Sequence, residues 1–259
     1  MSALHLIRHG AIAELKLDNP AKLNAFTLTM LKAIEPYCDE LERDPAIRAV
    51  VVTAEESRAF CAGADILEWS ELAPCDFARH WVREGHRVFD RLARLSKPVI
   101  AAINAHAFGG GLEFAATCDI RIMAPDATLA LPEASVGIVP GWSGTQRLIR
   151  LLGEPIVKEM ALFGRRISAE RAFAAGFAAE IADDPRAAAF EIAQTLAGKS
   201  PRAMEVAKYM IHAAAGEDRG AMIEALGAGM IGSTEDRNEG VAAFREKNAN
   251  RAFLENSHE

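Results

Sequence analysis

Val99-Ile100-Ala101-Ala102-Ile103-Asn104, followed shortly by Gly109-Gly110-Gly111-Leu112-Glu113, is the most informative stretch of this chain. The first run is apolar and typical of a buried strand, and Leu112–Cys118 is compatible with a helix. Three consecutive glycines allow a sharp turn and leave backbone N–H groups uncovered by side chains. We therefore predict a strand, a glycine turn and a helix start whose N–H groups can face a negative charge.

Glu113 stands in the first turn of this predicted helix, beside those donors. A backbone donor can stabilise the oxygen of an enolate, and a carboxylate can move the proton that makes or quenches it. The combination predicts enolate chemistry at the turn. A structural alternative is that the glycines only permit close packing of helix and strand, with Glu113 in solvent.

The surrounding segments predict an α/β fold, because strand and helix patterns alternate through the middle of the chain. An N-terminal hairpin, with strands at Leu4–Arg8 and Ile12–Leu17, precedes a helix at Thr27–Arg43 for which Thr27 is the expected N-cap. The alternating segments that follow are Ile47–Thr53, Asp76–Leu95, Val99–Asn104, Leu112–Cys118 and Asp119–Ala124.

The strand pattern disappears from about Pro185 onward, and helices are expected at 186–197, 201–214, 219–230 and 234–247. The chain is thus predicted to divide into an α/β core at residues 1–185 and a helical region at residues 186–259. Small apolar residues in this helical region suit packing against a neighbouring subunit, or covering of the chain's own core.

Composition excludes several classes of function. The 259 residues carry a net charge of −7, which argues against a nucleic-acid-binding face, since phosphate contacts need clustered Lys and Arg. We find no apolar run of membrane-spanning length and no signal-peptide pattern at the N-terminus. The four cysteines show neither metal-ligand spacing nor a disulfide framework. We therefore expect a cytoplasmic protein with reduced thiols and no metal site.

Two further loops carry candidate residues. Ala59-Phe60-Cys61-Ala62-Gly63-Ala64-Asp65 follows a predicted strand and precedes a possible helix start at Asp65, although a simple tight turn would read the same way. Residues 131–147 contain Glu133 and the turn Pro140-Gly141-Trp142-Ser143-Gly144. As a plain surface loop, this segment would leave Glu133 to pair with a neighbouring Arg.

Together with the turn Asn19-Pro20…Leu23-Asn24-Ala25, these segments resemble the crotonase, or enoyl-CoA hydratase/isomerase, family. The match runs in order from about residue 12 to Lys247. The resemblance implies an α/β core of repeated β-β-α units wound into a spiral, with C-terminal helices that build a homotrimer or a dimer of trimers. It implies an acyl-CoA thioester as substrate, so that coenzyme A arrives with the substrate and no separate cofactor is expected.

The resemblance also implies roles for four residues. Two backbone N–H groups, which map to Ala62 and Gly110, would hold the thioester oxygen. Glu113 and Glu133 fill both positions that hydratases occupy with glutamates. We assign Glu113 to activate the water, because a first-turn site favours its ionised form, and Glu133 to supply the proton to C2. The leading hypothesis is reversible hydration of a 2-enoyl-CoA.

Coenzyme A contacts are carried over from the same resemblance, the last two commonly from a neighbouring subunit. The matching positions are Lys22, Leu23, Ala25, Ala62, Ala64, Asp65, Ile66, Gly141, Phe244 and Lys247. Lys247 could equally be a solvated helix end. The chain departs from the mammalian hydratase pattern, a Leu-Phe pair, at Ala228-Gly229-Met230. Trp142 stands where hydratases often have a small residue, and it would either reshape the acyl pocket or support its loop.

Two alternatives stay open at this point. Relatives on the same scaffold catalyse double-bond isomerisation, thioester hydrolysis or decarboxylation of acyl-CoA esters. Other relatives serve mainly for binding, including binding of RNA. The predicted helix at Thr27–Arg43 disfavours a phosphate-binding face, because its acidic residues outnumber its basic ones.

Overall fold

The computed structural model describes residues 2–217 and 219–245. The described residues form ten strands; the five longest lie where strands were predicted, and the other five, of two or three residues each, were not predicted. They are β1 (Ala3–His9), β2 (Ile12–Asp18), β3 (Ala49–Ala54), β4 (Ala59–Cys61), β5 (Val99–Ile103), β6 (His106–Phe108), β7 (Ile120–Met123), β8 (Thr128–Ala130), β9 (Ile167–Ser168) and β10 (Glu180–Ile181).

The strands form two sheets. The larger has the order β1-β2-β3-β5-β7-β10, antiparallel between β1 and β2 and parallel elsewhere. The smaller has the order β4-β6-β8-β9, with only β9 antiparallel. Each consecutive pair, β3–β4, β5–β6 and β7–β8, gives one strand to each sheet and is followed by helical segments. This confirms the predicted α/β spiral of β-β-α units.

Helices lie between the strands and follow the last of them along the chain. They are α1 (Leu28–Arg43), α2 (Ile66–Trp69), α3 (Pro74–Asp76), α4 (Arg83–Ala93), α5 (Gly110–Ala115), α6 (Gly144–Leu152), α7 (Glu154–Phe163), α8 (Ala169–Ala174), α9 (Pro185–Leu196), α10 (Pro201–Ala214), α11 (Arg219–Gly232) and α12 (Glu235–Arg245). Within the described ranges, no helix has both the length and the apolar character needed to cross a membrane.

Of two helix predictions, one is confirmed and the other differs from the structure. Thr27 caps α1 as expected, because its side-chain oxygen accepts a hydrogen bond from the Met30 N–H at 3.3 Å. The single long helix expected at Asp76–Leu95 is instead a π-helical segment, Phe77–Val82, followed by α4. The wider turns of that segment border the cavity described below.

The central strand β5 is buried on both faces, which explains its continuous apolar sequence. Val99, Ala101 and Ile103 face the main core, whereas Ile100 and Ala102 face α9 on the opposite side of the sheet. The chain forms compact units at residues 1–201 and 202–259, and α9 packs on this sheet within the first of them. The division of the chain at 185–186 by function stays a prediction. The oligomerisation role of the helices after α9 stays a prediction.

Candidate active site

The glycine turn forms as predicted, and each glycine admits a different neighbour. Gly109 has φ +51°, and its N–H donates to the Ala130 carbonyl oxygen of β8 at 3.0 Å. A Cβ atom at Gly109 would lie 2.9 Å from Oε1 of Glu133, and one at Gly111 would overlap the Cys61 carbonyl oxygen. The turn therefore brings α5 directly onto β4 and lets the Glu133 carboxyl approach the helix start.

Glu113 lies on α5 with a side chain only 3% exposed, which rules out the alternative that placed it in solvent. Its Oε1 accepts hydrogen bonds from the Trp142 N–H at 2.8 Å and the Gly144 N–H at 2.7 Å. A Cβ atom at Gly144 would lie 2.7 Å from that oxygen, so the position requires glycine. These contacts join α5 to the first residues of α6.

Burial raises the pKa of Glu113 to about 7. The nearby Glu133 carboxylate adds to this rise, while the donors at Gly144 and Trp142 and the Arg147 charge oppose it. At neutral pH the group can therefore both accept and release a proton.

Glu133 begins a 3-10 turn, Glu133–Val136, and is also buried. Burial raises its pKa to about 7 as well. Its Oε2 atom is enclosed and has no hydrogen-bond partner in the described part of the chain. The two N–H donors on Glu113 favour its ionised form, whereas the unpartnered oxygen of Glu133 disfavours ionisation. Because the two carboxyls interact, their titration belongs to the pair.

The structure corrects one of the two predicted oxyanion donors. Gly110 is the first residue of α5, so its N–H has no intrahelical acceptor, as expected. The Ala62 N–H, however, donates to the Leu23 carbonyl oxygen at 3.0 Å. An amide already engaged in this way does not serve a thioester oxygen, and the assignment of Ala62 as a donor is wrong.

Ala64 is the better candidate for the second donor. The Gly63 carbonyl accepts from the Phe26 N–H at 2.8 Å, and the Asp65 N–H donates to the Phe26 carbonyl at 2.9 Å. Because successive residues of an extended segment point to opposite sides, the Ala64 N–H points away from Phe26. A Cβ atom at Gly110 would lie 3.6 Å from the Gly63 carbonyl carbon, to which the Ala64 nitrogen is bonded. The Ala64 amide therefore lies beside Gly110.

Both glutamates line a cavity of about 200 Å³, together with Ala64 and Gly110. They are the only charged residues among its described lining. The remaining walls are mostly apolar and include Ile66, Trp69, Phe77, Trp81, Val82, Val136, Ile138, Val139 and Trp142. Such a cavity suits an uncharged, apolar group next to two acids.

The predicted coenzyme A residues fall into two sets. Lys22 pairs with Asp65 at 2.5 Å, and Asp65 also caps α2 by accepting from the Leu67 N–H at 3.1 Å, as its predicted place at a helix start requires. Leu23, with φ +54°, and the buried Ala25 complete the neighbouring turn.

Four more of these positions lie elsewhere. Ile66 and Gly141 line the cavity. Phe244 lies in α12, and Lys247 lies outside the described residues.

Asn24 is a supporting residue that the sequence patterns did not single out. Its Nδ2 donates to the carbonyl oxygens of Glu55 at 2.9 Å and Ala59 at 3.0 Å, and its Oδ1 accepts from the Asn19 N–H at 3.0 Å. These bonds hold the turn that carries Leu23 against β4. The only local signal was the Asn-rich turn itself.

Comparison with known proteins agrees with this geometry. The family described as "Enoyl-CoA hydratase/isomerase" matches residues 8–252. The chain is 35% identical to the "Short-chain-enoyl-CoA hydratase" of Clostridium acetobutylicum, covering 93% of this chain and 94% of that protein. It is 35% identical to the "Crotonyl-CoA hydratase" of Syntrophomonas wolfei, with 93% and 94% covered.

Solved structures of similar proteins also match the fold of this chain. Pseudomonas aeruginosa DspI matches with a TM-score of 0.81 and 35% identity, covering 94% of each chain. An enoyl-CoA hydratase from Bacillus anthracis matches with a TM-score of 0.79 and 33% identity, covering 95% of this chain and 97% of the other.

Proposed function

We propose that this chain, which belongs to the enoyl-CoA hydratase/isomerase family, catalyses the reversible hydration of a 2-enoyl-CoA to a 3-hydroxyacyl-CoA. The observation that carries the proposal is that two buried carboxyls, Glu113 and Glu133, line one cavity beside two backbone donors. A single acid suffices to shift a proton along an acyl chain. Hydration requires both activation of a water molecule and protonation of a carbon, and two carboxyls can carry out these two proton transfers.

The thioester oxygen is proposed to lie between the N–H groups of Ala64 and Gly110. When a hydroxyl group adds to C3, the electron pair of the C2–C3 double bond moves toward the thioester and leaves an enolate oxygen. Donors that are already in place stabilise that charge without reorganisation, and removal of one such donor typically costs about a hundredfold or more in rate.

Proton movement in the proposal follows the surroundings of the two acids. Glu113, ionised, takes one proton from water as its oxygen bonds to C3. Glu133, protonated, gives its proton to C2 as the enolate collapses. The net change is addition of one water molecule, and one proton returns from Glu113 to Glu133 before the next turnover. Dehydration runs through the same steps in reverse.

The remaining parts of the proposal concern the substrate and the assembly. Coenzyme A is held by the predicted set around Lys22, Leu23, Ala25, Asp65 and Ile66, with Phe244 and Lys247 contributing from a neighbouring subunit. It is part of the substrate, and the proposed steps use no separate cofactor. The acyl group is uncharged, because no lining residue in the described chain offers a cation to a terminal carboxylate. We further propose a cytoplasmic homotrimer or dimer of trimers.

The test is a screen of enoyl-CoA thioesters with product identification by mass spectrometry, starting from crotonyl-CoA and extending to longer and branched chains. Hydration adds the mass of one water, isomerisation leaves the mass unchanged, hydrolysis frees coenzyme A, and decarboxylation removes carbon dioxide. The control is the variant in which Glu113 and Glu133 are both replaced by Gln. We expect hydration of at least one thioester, and hydration of none would refute the proposal.

A further inference from the structure

We infer that Trp142 closes the inner end of the acyl cavity, so that the site takes short acyl chains. The inference rests on the proposed function only in assuming that an acyl-CoA thioester binds here, and it holds for any reaction of that thioester. It makes Trp142 a specificity-determining residue that acts through its indole ring. The reacting atoms would be handled by other groups.

The indole fills the space between the donor turn and α4. A Cβ atom at Gly110 would lie 2.8 Å from both Cε3 and Cζ3 of the ring, and one at Gly85 on α4 would overlap its Nε1. Two glycines on facing elements thus admit the ring, one at each edge. Any other residue at Gly85 would compete with Trp142 for the same space.

The ring is held from several directions. Only 3% of Trp142 is exposed, and its Nε1 donates to the Trp81 carbonyl oxygen at 3.2 Å. The ring packs against Phe89 and Trp81 with centroids 5.1 and 5.4 Å apart. Its own backbone N–H is bonded to Glu113. Swinging the ring aside would break packing and a hydrogen bond, so it acts as a fixed wall.

The position of the wall determines where an acyl chain can go. In the proposed site the carbons that react lie between the glutamates, the indole lies directly beside Gly110, and the backbone N–H of Trp142 is bonded to Glu113. Carbons beyond the reacting pair cannot pass toward α4 and must turn to the rim, where Val136 is 51% exposed and Val139 is 77% exposed. Methylenes at the rim bury little surface and add little affinity.

The experiment measures dissociation constants for saturated straight-chain thioesters, butanoyl- through decanoyl-CoA, by calorimetry. These ligands have no double bond to hydrate, so the length series is independent of the reaction. A fully buried methylene strengthens binding about fourfold. We expect the affinity of the wild-type protein to level off within the series. A gain of about fourfold per methylene up to decanoyl-CoA in the wild type would overturn the inference.

Trp142→Ala should restore the length dependence, raising the preference for octanoyl- over butanoyl-CoA by at least about tenfold. Trp142→Leu is the second variant, because truncating a buried tryptophan to alanine is strongly destabilising and can impair folding. Unchanged length dependence in a folded variant would overturn the inference.

Phe89→Leu is the matched control, since Phe89 packs behind the indole and does not line the cavity. Its dissociation constants should depend on acyl chain length as those of the wild-type protein do. An equal gain in Phe89→Leu would mean that general loosening, rather than removal of a wall, sets chain length, and would also overturn the inference. If affinity depends on chain length as expected but the protein hydrates no thioester, this inference stands and only the proposed function is refuted.

Discussion

The turn that carries Glu113 and the loop that carries Glu133 surround their carboxyls in opposite ways. Every residue of α5 is buried, and one oxygen of Glu113 takes two backbone donors. Glu133 begins a short turn whose following residues, 134–136, are exposed, and one of its oxygens has no partner in the described structure. Burial nevertheless raises both pKa values to about 7.

The difference shows that equal pKa values do not mean equal roles. Donors aimed at one oxygen hold Glu113 in a single orientation suited to a base. A buried oxygen without a partner is costly when charged, so Glu133 is most stable when it holds a proton. In the proposed hydration Glu113 is the base and Glu133 is the proton donor, and each prediction below perturbs one side of this pair.

The largest effect is expected from removing either carboxyl. Glu113→Gln and Glu133→Gln keep the shape of the side chain but cannot exchange a proton, and general acid or base catalysis typically contributes about 10²–10⁴-fold. We expect kcat for hydration to fall by that amount in each variant, while binding of butanoyl-CoA persists. Steady-state kinetics and calorimetry measure the two quantities.

Glu154→Gln is the control for this pair, because Glu154 is an exposed glutamate that pairs with Lys158 on α7. It should leave kcat unchanged. Full hydratase activity in Glu133→Gln would show that one carboxyl is enough, and the contrast between the two loops would then have no catalytic meaning.

A smaller effect is expected from crowding each carboxyl without removing it. Gly109→Ala places a Cβ atom against Oε1 of Glu133, and Gly144→Ala places one against Oε1 of Glu113. A shift of about 1 Å in a catalytic group can cost about a hundredfold, so we expect kcat to fall by about ten- to a hundredfold in each. Because Glu113 is confined on more sides, Gly144→Ala should be the more damaging of the two.

Gly137→Ala is the matched control, since Gly137 also has a positive φ, +75°, but has open space where a Cβ atom would stand. It should lower stability by about 1–2 kcal/mol through backbone strain and leave kcat close to wild type. If Gly137→Ala reduced kcat as much as Gly109→Ala, strain rather than displacement of Glu133 would be the cause.

The sequence predicted those features that depend on local pattern. The apolar run of β5, the cap at Thr27 and the glycine turn before Glu113 each have a local physical cause, and each was confirmed. The second acid could be predicted because Glu133 stands in a recognisable motif. Its burial could not be predicted, since it depends on the folded chain, in which the Glu133 carboxyl lies where a Cβ atom of Gly109 would otherwise stand.

What could not be predicted depends on contacts between distant segments. Whether Ala62 or Ala64 offers a free amide is decided by the bond from Ala62 to Leu23 and by the pairing of its neighbours with Phe26. The motif contains both residues and does not distinguish them. Likewise, Trp142 was expected to reshape the pocket or support its loop, and only the space at Gly85 and Gly110 shows that its ring fills a gap between two elements.

The smallest expected effect is on stability, and both acids contribute to it. A carboxyl whose pKa is raised by folding binds its proton more tightly in the folded state. Its contribution to the free energy of unfolding is therefore unfavourable above its unfolded pKa, near 4.5, and grows until the pH passes about 7. For a single carboxyl the loss is on the order of 3 kcal/mol.

Replacing either acid by Gln should relieve this loss, so that Tm relative to wild type is higher at pH 8 than at pH 5. Because both pKa values rise from 4.5 to about 7, the gain should be similar in the two variants. Thermal unfolding at the two pH values measures the difference. The absence of a gain in both variants would contradict the raised pKa values of the two carboxyls.

Glu14 supplies a control of opposite sign. Burial opposes its ionisation, but hydrogen bonds from Arg186, Thr53 and His9 outweigh burial and lower its pKa to about 2. Its stabilising contribution is present above the unfolded pKa, near 4.5, and is lost as the pH falls toward 2. Glu14→Gln should therefore lower Tm by a similar amount at pH 5 and pH 8. A pH trend like that of the Glu133 variant would show that the pair's raised pKa values do not cause the effect.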